Sequence, residues 1–352
     1  MTDMQKTTET GAVTARAGSA GVLGGVGLRG ATMSVVREVA LLPALVVLVI
    51  VGSIVSPAFL TGSNLTGIGQ QISALGVIVV GEALILLTGG IDLSLESTYG
   101  FAPMLAGALI LPAADFGFGT QIAPALGLIV LVLVGVVVGL VNGLLIVKAR
   151  LNGFIVTLAM VIVLEGLQNG IVKGQSLFNF PASFTDLGAA QIDGFPVSLI
   201  ACAIVFVLAG LFLRYHRLGR AIYAVGGNIN AARAAGINVD RVRIGAYVAG
   251  SVLAAIGGLM EAGRVSAVTA TQGYGEGIIF PVFAAAVIGG VSLKGGRGNM
   301  IGAASGVILL GIVQNILNLA NVSSYWIDAI NGSVILIALV LARIVGGAET
   351  VE

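Results

Sequence analysis

The chain has 352 residues, of which 57% are hydrophobic and only 9% are charged. Soluble domains carry about 25% charged residues, so this composition cannot cover a water-soluble surface. The formal net charge of +1 provides no broad basic face, which argues against a nucleic-acid partner. The single cysteine, Cys202, excludes an intrachain disulfide, and its apolar surroundings predict a small buried hydrophobe.

The N-terminal segment is rich in Gly, Ala, Thr and Ser and poor in large apolar residues. Such a segment buries too little apolar surface to fold alone, which predicts a disordered cytoplasmic tail. The first long apolar run begins near Val39, too far along the chain for a cleaved signal peptide, and is predicted to be a retained span. The expected domains are a tail over 1–35, a transmembrane domain over 36–346 and a second cytoplasmic tail over 347–352.

Ten apolar segments are candidates for transmembrane helices, which need about 20 residues each. They are Val39 to Val55, Leu65 to Leu87, Thr98 to Leu111, Ile122 to Val147, Ile155 to Val172, Val197 to Leu213, Ile244 to Glu261, Ile278 to Leu293, Ile301 to Leu319 and Ile327 to Val345. The predicted fold class is therefore an all-α, polytopic membrane bundle of about ten helices.

The basic residues set the predicted orientation, because Lys and Arg near span ends stay preferentially in the cytoplasm. With ten spans and a cytoplasmic N-terminus, 15 of the 17 basic residues fall inside. Only Lys173 and Arg264 fall outside. Adding or removing one span would scramble this division, so both termini are predicted to be cytoplasmic.

Two polar segments are too long to be simple turns, namely Lys173 to Pro196 outside and Arg214 to Arg243 inside. The external segment contains four phenylalanines beside two aspartates. This mixture suits docking of a soluble protein and equally suits a loop that packs over the bundle. The four aromatic residues are Phe178, Phe180, Phe184 and Phe195.

Polar residues form stripes on three of the predicted spans. The residues are Gln71 and Glu82 on the second span, Glu165, Gln168 and Asn169 on the fifth, and Gln314 and Asn318 on the ninth. Polar groups at membrane depth are costly unless they face protein or water, so the stripes indicate a hydrated path for a neutral, hydroxylated solute. The alternative is that they hydrogen-bond one helix to another as structural glue.

A row of glycines, Gly135, Gly139 and Gly143, recurs at four-residue spacing on the fourth span, with Asn142 on nearly the same face. Small residues at this spacing let two helix backbones approach closely. Helix packing is therefore favoured over a role in transport.

Catalytic motifs are absent from the sequence, which contains no phosphate-binding G-x-x-x-x-G-K-[ST] loop, no H-E-x-x-H and no G-x-S-x-G. The only histidine, His216, falls in the predicted cytoplasmic loop. We therefore expect no catalytic residue, no metal site and no cofactor, and ATP hydrolysis, if required, must occur in another subunit.

The cytoplasmic segment from Arg214 to Arg243 contains Gly-Gly-Asn, then a helix-capable stretch from Ile229 to Ala235 and a stop at Gly236. A short helix at the membrane surface can be gripped by a partner. Equally, the segment can be a basic topology determinant that contacts anionic lipid headgroups.

This segment resembles the coupling loop of permeases from the ribose/xylose/galactose-type branch of the ABC sugar importers, which are related to the branched-chain amino-acid permeases. The similarity lies in GRAIYAVGGNINAARAAGI (Gly219 to Ile237), in TGGIDLS (Thr88 to Ser94) and in the glycine-rich segment from Ala286 to Leu317. The last predicted span also fits the family. At position 96 the family usually has glycine, and Glu96 leaves the conformation of the turn open.

The resemblance implies a permease subunit for a monosaccharide, working with cytoplasmic ABC ATPase subunits, a periplasmic or extracellular sugar-binding protein and a second permease, identical or related, in the bacterial inner membrane. It places ATPase coupling at Asn228, Ala231, Ala232, Arg233, Gly236 and Asn238, and the motif turn at Gly89, Gly90, Asp92 and Ser94. Branched-chain amino acids or a signalling furanose remain alternative substrates. A different class, an ion-driven secondary transporter, would use Glu82 and Glu165 as proton carriers.

Overall fold

The computed structural model describes residues 41–273, 277–323, 325–327, 329–330, 332–333 and 336. This part of the chain is almost entirely helical. The helices are α1 (Leu41–Val55), α2 (Gly62–Leu87), α3 (Leu95–Ile110), α4 (Pro124–Gly143), α5 (Gly153–Val172), α6 (Ala182–Ala189), α7 (Val197–Tyr215), α8 (Arg217–Gly227), α9 (Ile229–Ala234), α10 (Val239–Val265), α11 (Ile279–Ile288) and α12 (Met300–Leu319). A 3₁₀ turn covers Ala113–Asp115, a π-helical turn (Leu144–Lys148) extends α4, and strand β1 (Gln191–Ile192) pairs antiparallel with β2 (Phe195–Pro196).

The helices confirm the multi-pass helical bundle, because one lies in each of the first nine predicted spans. In the described part of the chain, 6 are long and apolar enough to cross a membrane: α2, α4 with its π turn, α5, α7, α10 and α12. The tenth predicted span, Ile327 to Val345, lies mostly outside the described residues, as do the tails over 1–35 and 347–352. The count of ten spans and the side on which the termini lie therefore stay predictions.

Helix ends differ most from the predicted span at α10, which begins at Val239 rather than near Ile244. The side chain of Asn238 accepts a hydrogen bond from the Arg241 backbone N–H at 3.1 Å, and this cap starts the helix before the apolar run begins. Hydropathy marks where a helix enters the apolar region, whereas capping marks where the helix itself starts. The predicted span therefore begins more than one helical turn after the true start of α10.

The centre of the bundle is α10, which packs against α2, α3, α4 and α6. The glycine row of α4 faces it. A Cβ atom added at Gly139 would lie 2.5 Å from the Val248 Cα atom, and one at Gly135 would lie 2.8 Å from the Val252 Cα atom. These distances confirm that the row brings two backbones into direct contact.

The outer faces of α4, α5 and α7 are covered by large apolar residues that the chain itself leaves exposed, such as Ile162 and Val207. Exposed apolar surface of this extent is suited to lipid or to another membrane subunit. The Cys202 side chain of α7 is buried, as predicted, and its sulfur atom packs against Gly76 of α2.

The segment from Lys173 to Pro196 forms α6 and the small hairpin. Phe184 is buried and stacks at a tilt on the half-buried Phe180, with 5.5 Å between ring centroids. By contrast, Phe178 is 52% exposed and Phe195 is 67% exposed. The buried Phe184 and half-buried Phe180 fit a segment that packs over the bundle, whereas docking of a soluble protein at Phe178 and Phe195 stays a prediction.

Candidate functional site

A cavity of about 310 Å³ lies among α2, α3, α10, α11 and α12. Its polar wall is formed by five side chains, Gln71, Tyr99, Glu261, Arg264 and Gln314. Its apolar wall is formed by Ile72, Ala74, Leu75, Ile278, Pro281, Ala284, Leu310 and Gly311. An apolar cavity with a few converging polar groups is the usual form of a small-molecule site.

Two of the predicted pathway residues, Gln71 and Gln314, meet at this cavity although they are far apart in sequence. The helices α2 and α12 bring them together. Their amide groups offer both donors and acceptors, which are the partners that hydroxyl groups need.

Glu261 and Arg264, on the last turn of α10, complete the polar wall and were not among the predicted site residues. The Arg264 Nε atom donates to the Glu261 Oε2 atom at 2.8 Å, and Nη2 contacts Oε1, so the pair is bidentate. Such a pair holds its charged groups in a fixed orientation. The sequence does contain a signal for this pair, because Glu261 and Arg264 are opposite charges three residues apart at the end of an apolar run.

The remaining predicted pathway residues do not line the cavity. Gln168 is buried, and its side-chain amide donates to the Ala270 carbonyl at 3.0 Å, tying α5 to the segment after α10. Asn169 donates to the Glu165 carbonyl on its own helix at 3.2 Å. Asn318 is exposed. The Gln168 contact links two elements, which is the structural role that the sequence left open as an alternative, whereas the Asn169 contact stays within one helix.

Glu82 is fully buried in α2 and makes no hydrogen bond of ordinary geometry with the described residues. It lies near Asp92, beyond the end of the same helix, rather than in the cavity. Replacing water around a carboxylate by protein costs free energy unless partners compensate. Glu82 is one of the two carboxylates, with Glu165, that the ion-driven alternative would use as proton carriers.

The motif turn between α2 and α3 is held by a buried hydrogen-bond network. The Asp92 Oδ1 atom accepts from the Ser94 backbone N–H at 2.9 Å and from the Ser94 hydroxyl at 2.6 Å. The Asn142 side chain of α4 donates to the Ser94 Oγ atom at 2.7 Å, which gives this asparagine a role beyond the glycine row. Gly89 has a φ of 78°, which favours glycine.

Glu96 occupies the first turn of α3, where the backbone is helical. A helical position does not require glycine, so the departure from the family pattern leaves the turn intact. The Glu96 side chain is buried, close to where α3 meets the segment that follows α10.

The predicted coupling segment folds into α8 and α9, and α9 ends within one residue of its predicted end. The Asn228 side chain caps α9 by accepting from the Ala231 N–H at 2.9 Å, and Gly236 follows with a φ of 81°. Ala231 and Arg233 are exposed, whereas Ala232 is only 4% exposed and packs into the core. The free surface of α9 is therefore the face that carries Ala231 and Arg233.

Comparison with known proteins agrees with these features. Residues 64–339 match the family described as "Branched-chain amino acid transport system / permease component". The chain is 36% identical over 302 residues to the ribose import permease protein RbsC of Escherichia coli K12, covering 85% of this chain and 91% of RbsC. It is 33% identical to the L-arabinose ABC transporter permease protein AraH of Azospirillum brasilense, covering 88% and 89% of the two chains. It is also 32% identical to the galactose/methyl galactoside import permease protein MglC of Haemophilus influenzae, covering 84% and 91%.

No solved structure matches the chain. The family match and these relatives show that the chain belongs to the permease components of ABC importers. It is accordingly a multi-pass protein of the bacterial inner membrane.

Proposed function

We propose that this permease subunit carries a monosaccharide into the cell, and that ATP is bound and hydrolysed by separate cytoplasmic subunits. The observation that carries the proposal is the similarity over 85% of the chain to a ribose permease, together with arabinose and galactose permeases at comparable identity. The family description names branched-chain amino acids instead, which keeps them as the alternative substrate class. A sugar-binding protein would deliver the solute, and a second permease subunit would complete the path.

The cavity between α2 and α12 is the proposed section of the translocation route in this chain. Its mixed wall suits a sugar, because amides and a fixed ion pair bond hydroxyl groups while apolar side chains contact the C–H faces of the ring. Glu82, Glu165, Gln168, Asn169 and Asn318 lie outside its wall. They would join the route only in another state of an alternating-access cycle.

The exposed face of α9 is the proposed docking surface for an ATPase subunit. A helix of six residues has little binding energy in itself, so shape at Ala231 would matter more than the charge of Arg233. The alternative role, contact with lipid headgroups, would depend on charge instead.

Transport by the complete importer tests the substrate class. We expect proteoliposomes that contain the permease, its ATPase and its binding protein to take up one of ribose, arabinose and galactose when ATP is present, and to ignore leucine. Uptake of leucine, or of a signalling furanose alone, would assign the chain to another branch of its family. Uptake by the chain without an ATPase, driven by a proton gradient, would instead support a secondary transporter that uses Glu82 and Glu165.

A further inference from the structure

The three segments that carry the family resemblance meet at one point, through backbone rather than side chains. We call this point the glycine junction, and it consists of Gly89 after α2, Gly226 and Gly227 at the end of α8, and Gly295 and Gly296 in the loop between α11 and α12. The Gly296 N–H donates to the Leu87 carbonyl at 3.0 Å. A Cβ atom on Gly295 would lie 2.8 Å from the Gly89 nitrogen, and one on Gly296 would lie 2.7 Å from the Gly227 Cα atom.

Gly226 is the centre of this contact. A Cβ atom at this position would overlap the Leu87 carbonyl oxygen and would lie 2.5 Å from the Gly296 nitrogen, the two atoms that form the hydrogen bond. The obstacles are backbone atoms, which cannot rotate away as a side chain can. Its neighbour Gly227 differs, because a Cβ atom there meets no described atom within 4 Å.

The helix α8 is bound to the same loop by a second contact. The Tyr223 hydroxyl donates to the Gly298 carbonyl at 2.8 Å, and burial raises the pKa of this phenol further above neutrality. The apolar face of α8 is buried in the core at Ile222 and Val225. These contacts make α8 a rigid extension of the bundle rather than a free surface loop.

The position of the junction relates α9 to the cavity. Asn228 ends α8 and caps α9, so no linker separates the two helices. On the far side of the junction, α2 carries Gln71 and Leu75 of the cavity wall, and the loop leads into α12, which carries Gln314. A chain of packed, rigid elements therefore runs from α9 to two walls of the cavity.

We propose that the glycine junction transmits movement of α9 to α2 and α12, and that Gly226 is the residue on which this transmission depends. The inference rests on the proposed function, because α9 must first be moved by an ATPase. Coupling of this kind needs elements that move together. Helices and loops whose backbones are in direct contact follow each other's displacement more closely than elements that touch through flexible side chains. The junction is thus a positioning device for transport and makes no contact with the solute.

The test compares Gly226→Ala with Gly227→Ala in the complete importer reconstituted with its ATPase and binding protein. Uptake of ribose, arabinose and galactose is measured together with ATP hydrolysis and co-purification of the ATPase. We expect Gly226→Ala to lower the sugar taken up per ATP hydrolysed by about tenfold, because the added methyl forces the backbones apart. ATPase co-purification should remain, since α9 is unchanged, and Gly227→Ala should match the wild-type ratio within about twofold.

A wild-type ratio for Gly226→Ala, or an equal loss for Gly227→Ala, would overturn the proposal. If Gly226→Ala does not fold, Tyr223→Phe decides the question, because it removes one hydrogen bond and keeps the shape of the ring. Tyr223→Phe should lower the sugar taken up per ATP hydrolysed severalfold, and an unchanged value for this variant would then overturn the proposal. Failure of the proposed function has a different signature, because the wild-type importer itself would then take up none of the three sugars in response to ATP.

Discussion

At the scale of single residues, the charge pair Glu261 and Arg264 is the most polar element of the cavity wall. A bidentate pair can bond a sugar hydroxyl from both partners while the two charges neutralise each other. Such a wall suits a neutral, hydroxylated solute better than an ion.

The first prediction compares Glu261→Gln with Glu165→Gln. Glu261 lines the cavity and Glu165 does not. Loss of a hydrogen bond to a charged group costs about 1.5–3 kcal/mol, so we expect Glu261→Gln to reduce sugar uptake by about 10- to 150-fold. Glu165→Gln should leave uptake nearly unchanged. Initial uptake rates at equal amounts of membrane-inserted protein measure both, and the reverse order would place the route along α5 instead.

The second prediction concerns the motif turn, where Ser94 links Asp92 to Asn142. Ser94→Ala leaves buried polar groups without this partner, and we expect it to lower the free energy of unfolding by about 1–3 kcal/mol. The control is Ser305→Ala, because the hydroxyl of the half-buried Ser305 donates to the Ile301 carbonyl of its own helix and joins no network like that of Ser94 among the described residues. Thermal unfolding of the purified proteins in detergent compares them. Equal melting temperatures for the two variants would contradict a structural role for the turn network.

At the scale of elements, α9 has two faces with different roles. Ala232 faces the core and Ala231 faces outward. Enlarging Ala232 therefore tests packing of α9 against the core, whereas enlarging Ala231 tests docking of a partner on its exposed face.

The third prediction is that Ala231→Trp prevents ATPase binding while the permease still inserts and folds. Arg233→Ala should have a small effect, because an exposed charge contact is worth at most about 1 kcal/mol. Ala232→Trp should reduce the amount of folded permease, because the larger side chain does not fit the core. Co-purification of the ATPase and thermal stability separate these effects. If Ala231→Trp binds the ATPase normally and Arg233→Ala weakens binding to anionic lipid vesicles, α9 is a headgroup-binding segment.

At the scale of the whole molecule, the distribution of basic residues and the order of the helices predict one orientation in the membrane. The segment from Lys173 to Pro196 is expected outside and the segment from Arg214 to Arg243 inside. Both contain exposed asparagines, Asn179 and Asn230, at which a probe can be placed.

The fourth prediction uses cysteines introduced at Asn179 and Asn230, one at a time, in a Cys202→Ser background. An impermeant thiol reagent added to intact cells should label the first and not the second. Labelling of the second after the cells are broken provides the control for reactivity. Labelling of both in intact cells would contradict the ten-span arrangement and both cytoplasmic termini.

The sequence by itself determined the features that depend on neighbouring residues. Apolar runs of span length predict helices because buried backbone groups must bond within their own segment. The caps at Asn228 and Gly236 fix α9 because their hydrogen bonds reach only three or four residues along the chain. The glycine row of α4 likewise predicts close packing, although it does not name the partner helix.

The tertiary structure alone decided which faces meet. Hydropathy cannot distinguish Gln168, which bonds the backbone after α10, from Gln314, which lines the cavity, because both lie on apolar helices. The inward face of Ala232 and the cavity position of Arg264 depend on helices that are distant in sequence. The same is true of Gly226, whose need for glycine comes from the Leu87 carbonyl. Local rules fix where each helix begins and ends, whereas packing against distant helices fixes its rotation, and rotation decides which side chains reach the cavity.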